Sequence, residues 1–199
     1  MTDKLKYEKE LVSKGCKYIC GVDEVGRGPL AGPAVCAAVI MPLDDVIDGI
    51  DDSKKLTAKK REELALLIEQ KAVALNICRV EPEIIDKINI LEATKLCMKR
   101  AVEGLKVKPD FVITDGNMTL DIGVEQTSII KGDALSYTIG CASIAAKVYR
   151  DKLMDEYAEI YPEYGFEKHK GYGTALHINA IKKSGLCPIH RRSFTKKWQ

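Results

Sequence analysis

The stretch Gly21-Val22-Asp23-Glu24-Val25-Gly26-Arg27-Gly28-Pro29-Leu30-Ala31-Gly32-Pro33 runs directly into Ala34-Val35-Cys36-Ala37-Ala38-Val39-Ile40-Met41. With Tyr18-Ile19-Cys20 before it, the opening reads as a strand that ends on two acids. Residues 26–33 hold three glycines and two prolines, which sustain neither helix nor strand, so they form a loop. Ala34 to Met41 is an unbroken apolar run of small and β-branched residues, the pattern of a buried strand. Two strands joined by a tight loop therefore open the domain, with Asp23 and Glu24 at the turn.

Outward from this unit, the pattern alternates. A charged segment from about Tyr7 to Lys14 is expected to be helical. Thr57 is positioned to cap a helix carrying Leu64, Leu67, Ile68 and Leu75. Asn76 to Val80 reads as a short strand, and Leu91, Thr94, Met98, Ala101, Val102 and Leu105 mark another helix. Phe111-Val112-Ile113-Thr114 is a strand stopped by Asp115-Gly116-Asn117, and Thr127-Ser128-Ile129-Ile130 a strand stopped by Lys131-Gly132-Asp133. Helices follow at about Ser143–Tyr157 and Thr174–Lys183. This is a mixed α/β domain with a central sheet flanked by helices. Asp23, Asp115 and Asp133 each fall at an expected strand end, where side chains from neighbouring strands can converge.

The composition sets outer limits. At 199 residues the chain suggests one domain, with 46% apolar and 30% charged residues, an ordinary globular mixture. It has neither an apolar run long enough to span a membrane nor an N-terminal signal region, so a cytoplasmic protein is expected. The seven scattered cysteines contain no C-x-x-C pair and read as reduced, buried small hydrophobes rather than zinc ligands or disulfides. The net charge is only +2, but Asp44 to Asp52 carries five aspartates, while Arg191, Arg192, Lys196 and Lys197 lie in the last nine residues. Such a tail suits either a polyanion partner or plain solvation.

Gly26-x-Gly28-x-x-Ala31 fits a dinucleotide-binding fingerprint only formally, because Gly32-Pro33 and a strand follow where that motif needs a helix. The acids say more. Two like charges about 4 Å apart repel by roughly 4 kcal/mol at an effective dielectric of 20. Adding Asp115 and Asp133 raises the cost, so a cluster of the four either protonates or binds a cation. Oxygen-only ligands favour hard ions such as Mg²⁺ or Mn²⁺. On spacing alone, four separate solvated or helix-capping acids remain an alternative.

The run Gly21 to Gly32 resembles the signature of the type 2 ribonucleases H, the ribonuclease HII family. The resemblance continues through Asp52-Ser53-Lys54-Lys55-Leu56, Asn89-Ile90-Leu91, Thr114-Asp115-Gly116-Asn117, Lys131-Gly132-Asp133 and Ala142 to Asp151. It extends to Tyr164-Gly165-Phe166, His169-Lys170-Gly171-Tyr172 and His190-Arg191-Arg192-Ser193-Phe194. It implies an RNase H-like fold over residues 18–199, with a C-terminal helical and basic segment and a short extension at 1–17. It places the four carboxylates of the family on Asp23, Glu24, Asp115 and Asp133. It implies dependence on Mg²⁺ or Mn²⁺, and two-metal-ion hydrolysis leaving 3′-hydroxyl and 5′-phosphate ends. The substrates it implies are RNA–DNA hybrids and ribonucleotides embedded in duplex DNA. Gly140-Cys141 departs from the pair usual before Ala142-Ser143, an expected loosening of that helix start.

For substrate binding, Gly26, Arg27 and Gly28 can bring backbone amides and carbonyls up to a sugar edge. Lys54 and Lys55 are candidates for backbone phosphates, or solvated loop lysines. Tyr172, between two glycines, could stack on a sugar or pack within the protein. His169 and His190 could contact phosphate or be plain surface residues, and His177 is expected to be structural. Asp44, Asp45, Asp48, Asp51, Asp121 and Glu125 read as solvated. Two other functions remain open: a binding module without catalysis, and another metal nuclease of the same superfold. The four carboxylates argue against the first, and the Gly-Arg-Gly loop with Tyr172 against the second. Nothing demands an oligomer, so a monomer is expected.

Overall fold

The computed structural model describes residues 3–198. Five strands, β1 (Ile19–Val25), β2 (Ala34–Ile40), β3 (Ala74–Val80), β4 (Phe111–Asp115) and β5 (Glu125–Ile129), form one sheet in the order β3-β2-β1-β4-β5. β2 is antiparallel to both β1 and β3, whereas β4 lies parallel to β1 and β5 parallel to β4. The helices are α1 (Lys6–Ser13), α2 (Ala58–Lys71), α3 (Pro82–Ile88), α4 (Ile90–Glu103), α5 (Gly132–Leu135), α6 (Tyr137–Ile160), α7 (Phe166–His169), α8 (Ala175–Ser184) and α9 (Arg192–Thr195). Among the described residues no helix is long and apolar enough to cross a membrane.

Side chains alternate across a strand, so β2 can be apolar throughout only because both faces of the sheet are covered. Cys36, Ala38 and Ile40 pack with Cys97, Met98 and Ala101 of α4. Val35, Ala37 and Val39 pack with Leu64 and Ile68 of α2 and with Ala142 and Ile144 of α6. Thr57 caps α2, its hydroxyl accepting from the Lys60 amide at 3.2 Å.

Three expectations are corrected. α6 begins at Tyr137, not near Ser143, because Ser136 supplies the cap, its Oγ accepting from the Ile139 amide. Gly140 then lies inside the helix, where a Cβ would come within 2.8 Å of Ile50, so a glycine there fits close packing rather than loosening a helix start. The acids are also not all at strand ends: Asp23 lies within β1, Asp115 ends β4, and Asp133 lies in α5. Beyond these, α3 is a short helix for which the sequence pattern sets no expectation, led by Pro82, whose missing N–H costs nothing in a first turn.

α1 is tied to the domain by Glu8, which is fully buried. Its carboxylate accepts from Ser136 Oγ (2.6 Å), the Thr138 amide (3.0 Å) and Thr138 Oγ1 (2.9 Å). A carboxylate at the amino end of a 24-residue helix satisfies open amides and complements the helix dipole.

The last third of the chain folds over the loop of residues 26–33. Leu30 and Ala31 pack with Met154, Tyr164, Phe166 and Ile189, with Phe194 and Trp198 against them. Within this cluster lie all three histidines, each at most 8% exposed. His169 and His190 are therefore not placed to contact phosphate. His177 Nδ1 bonds the Tyr172 carbonyl at 2.9 Å, its Nε2 meets His190 Nε2 at 3.0 Å, and the Cys187 amide donates to His190 Nδ1 at 3.0 Å. One neutral set of tautomers satisfies this chain, with His190 donating to His177 and His177 to Tyr172.

Burial lowers the pKa of both His177 and His190 from 6.5 to about 4. The unfolded chain therefore binds protons in this range before the folded one does. Their stabilisation is complete above pH 6.5 and is lost as pH falls through about 4. We expect unfolding free energies, from urea titrations, that fall more steeply between these limits in the wild type than in His190→Gln, the difference reaching about 3 kcal/mol. Parallel pH profiles would contradict the buried neutral pair.

Candidate active site

The central strand carries the site because it sits between β2 and β4, with helices on both faces. Val22 pairs with Thr114, so the next residues along the two parallel strands are Asp23 and Asp115. Strand alternation turns Glu24 to the face opposite Asp23, and the two reach the sheet edge from different sides. Gly116 takes φ +90°, which lets the chain turn away directly after Asp115. Lys131, in the left-handed region, then leads into α5 and Asp133.

Each aspartate engages one oxygen with a backbone amide. Asp23 Oδ1 accepts from Glu24 N at 2.7 Å, Asp115 Oδ1 from Gly132 N at 2.6 Å and Asp133 Oδ1 from Ala134 N at 2.9 Å. Ser143 of α6 also hydrogen-bonds Asp23 and is itself 3.0 Å from Ser53. Glu24 Oε1 lies 3.5 Å from the Arg27 guanidinium, while its Oε2 is buried without a hydrogen-bond partner.

These acids are electrostatically one group. Burial first, then the charges of Glu24 and Asp115, hold Asp23 well above the usual carboxylate range. Glu24 is raised by burial, with Arg27 opposing and Asp115 adding to the rise. Asp133 is raised by burial, then by Asp115 and Asp52, with Lys54 opposing. Asp115 thus acts on the other three. Among the described residues, no three acidic, histidine or cysteine side chains already meet as a closed set of ligands. The donor set nevertheless suits a hard cation: it is all oxygen, carries excess negative charge and holds a buried carboxylate oxygen with no partner.

The substrate candidates divide. Gly26, Arg27 and Gly28 lie beside Glu24, with Arg27 and Gly28 exposed. The Tyr172 ring lies over Gly28, where an added Cβ would sit 3.7 Å from Tyr172 Cε1. Lys54 acts electrostatically on Asp133, and Lys55, largely exposed, lies 3.9 Å from Asp51, which also holds Lys4 at 2.7 Å. Asp51 is therefore an ion-pair partner rather than a merely solvated acid, and Asp45 likewise holds Lys71 at 2.6 Å.

Arg191, read from the sequence as part of a basic tail, is fully buried and has no surface to offer a polyanion. It donates to the carbonyls of Gly32 (3.0 Å), Arg27 (2.9 Å) and Gly26 (2.5 Å). Arg150, also fully buried, donates to those of Pro33, Lys170 and Ala31 at 2.9–3.1 Å. Of the sequence-level offer of amides and carbonyls, the Gly26 and Arg27 carbonyls are thus already engaged. Burial lowers both guanidinium pKa values, to about 10 for Arg150 and about 9 for Arg191, so each stays charged at neutral pH. Ser143 and the two arginines were missed as site residues. A polar residue inside the apolar run of 139–146 was the available signal for Ser143; a buried arginine has none.

The surroundings are open. Two grooves of about 760 and 650 Å³ lie beside α1 and β5 and beside residues 46–51, the second also bordered by Lys55 and Ala134, and neither is lined by Asp23 or Glu24.

The description "Ribonuclease HII" fits residues 20–197 as a family model. A ribonuclease HII of Acetivibrio thermocellus is 56% identical over 96% of this chain and 75% of its own length. One of Caldicellulosiruptor bescii is 52% identical over 95% and 92%. The crystal structure of ribonuclease H2 from Pyrococcus horikoshii superposes with a TM-score of 0.77 at 27% identity, covering 91% of this chain and 96% of that one. The RNase H-like fold expected from the sequence is therefore present, and the chain belongs to the ribonuclease HII family of nucleases.

Proposed function

We propose that this nuclease hydrolyses the RNA strand of RNA–DNA hybrids and also incises duplex DNA on the 5′ side of an embedded ribonucleotide. One observation carries the reading: three carboxylates that all feel the charge of Asp115 accompany a Gly26–Gly28 loop whose exposed Gly28 lies under the ring of Tyr172. In the proposed assignment, Asp23, Glu24, Asp115 and Asp133 are the ligands of Mg²⁺ or Mn²⁺. When bound, a pair of such ions supplies the positive charge that activates water and offsets charge on the leaving 3′-oxygen.

The chain's own residues do the rest. Ser143 and the Glu24 amide fix the orientation of Asp23. The Gly132 amide fixes that of Asp115. Lys54 reaches a backbone phosphate near Asp133. Gly26, Arg27 and Gly28 meet the ribose, whose 2′-hydroxyl is the group that separates RNA from DNA. Tyr172 packs on the sugar at an RNA-to-DNA junction.

Asp23→Asn and Asp115→Asn should each cost several kcal/mol of transition-state stabilisation, where 1.36 kcal/mol is tenfold in rate. Because either change relieves like-charge repulsion, the melting temperature without metal should hold level or rise. Near wild-type turnover in both variants would remove these residues from the site.

Excess chelator should abolish cleavage of a labelled hybrid, with Mg²⁺ or Mn²⁺ restoring it. Zn²⁺ should substitute poorly, since no thiolate or imidazole lies in the cluster to favour it. Cleavage that persists in chelator would exclude the metal reading.

Tyr172→Ala should lose most cutting at a single embedded ribonucleotide, while affinity for plain duplex DNA falls much less. A 2′-deoxyribose at the target should block cutting in the wild type. If Tyr172→Ala cuts the embedded ribonucleotide at full rate, Tyr172 does not read the junction.

A further inference from the structure

Two fully buried arginines surround the Gly26–Pro33 loop, and both are used on main-chain carbonyls. Arg27, Arg61 and Arg79 pair with carboxylates, whereas the partners of Arg150 and Arg191 are carbonyl oxygens. Burying a guanidinium without an acid costs several kcal/mol even after relaxation, so a purely mechanical staple would be an expensive choice. The geometry of the bonds shows what else they do. All peptide bonds here are trans, so C=O and N–H of one unit point in opposite directions. With the Gly26 and Arg27 carbonyls drawn inward to Arg191, the amides of the same two peptide units, those of Arg27 and Gly28, point away from it. Both residues are exposed, and neither amide donates to the protein among the described hydrogen bonds.

We propose that Arg191 is a positioning residue for ribose recognition. By fixing the carbonyls of Gly26 and Arg27, it presents the amides of Arg27 and Gly28 as a paired donor to the sugar oxygens. Arg150 holds the same loop from the other side and, through the Lys170 carbonyl, keeps it in register with Tyr172. Gly26 is required at φ +88°, where a Cβ would come within 2.3 Å of Arg150 Nε. Lysine at 191 would keep the charge but, as a point donor, could not span three carbonyls in one plane. The inference rests on the assignment of residues 26–28 to the ribose.

The test compares Arg191→Lys with Leu64→Ala, a core truncation beneath α2 that lowers stability far from the loop. Substrates are duplex DNA with one ribonucleotide and the all-deoxy duplex of the same sequence. Arg191→Lys should lower kcat on the first at least tenfold, with affinity for the second changed less than twofold. Leu64→Ala should melt earlier yet retain its kcat. Wild-type kcat in Arg191→Lys, or loss of rate and duplex affinity in proportion to unfolded protein, would overturn the proposal. Should Arg191→Lys not fold, amide resonances of the wild type decide. Those of Arg27 and Gly28, with the Arg191 Nη–H groups that hold the Arg27 and Gly26 carbonyls, should shift with the ribonucleotide duplex and not with the all-deoxy one. Unmoved Arg27 and Gly28 amides would remove the ribose assignment of the loop itself. Amides that move while the Arg191 Nη–H groups do not would remove only the role of Arg191.

Discussion

The close approach of α6 to β1 governs the rest of the structure. A Cβ on Gly21 would lie 2.3 Å from the Thr138 carbonyl carbon, so any other residue would push helix and strand apart. At this distance, Ser143, less than two turns further along α6, reaches Asp23, two residues along β1. The same contact sets the start of α6, which sets α5 and Asp133 just before it. One missing methyl group thus lets α6 bring Ser143 to Asp23, 120 positions earlier in the chain.

Charge is distributed with a purpose that a net value of +2 conceals. Negative groups are concentrated on one edge of the sheet, where burial raises the cost of leaving them uncompensated. Positive groups lie behind the adjoining loop, buried, with their hydrogen bonds aimed at carbonyls. In the proposed assignment, metal-attracting and sugar-facing groups stand within a few residues of each other, 23–24 and 26–28, while the supporting cations are kept out of water. Preorganisation of this kind avoids rearrangement when a substrate arrives.

Much of this was legible in the residues. The apolar run of β2, the Thr57 cap and the glycines and prolines of residues 26–33 are local signals, and each stands where it was expected. Asp23, Glu24 and Asp115 were visible because acids next to apolar strands are conspicuous. What local pattern could not show was direction and depth. His169 and His190 sit among charged and aromatic neighbours, yet the tertiary fold closes over them. Arg191 looks like part of a basic tail and is instead fully buried, because its partners are carbonyls some 160 residues away. The true start of α6 depended on Ser136 and on space beside Ile50, neither of which helical periodicity encodes.

The long span of these contacts has a consequence for biosynthesis. The loop at residues 26–28 leaves the ribosome early, but its clasp is Arg191, 165 positions beyond Gly26. Glu8 waits in the same way for Thr138, 130 positions later. Contacts this distant close late, after the cost of ordering the intervening chain has been met. A nascent chain can carry Asp23, Glu24, Asp115 and Asp133 before it owns the residue that shapes the neighbouring loop. A chain that ends before residue 191 would therefore carry the acids without the contact that shapes their companion loop.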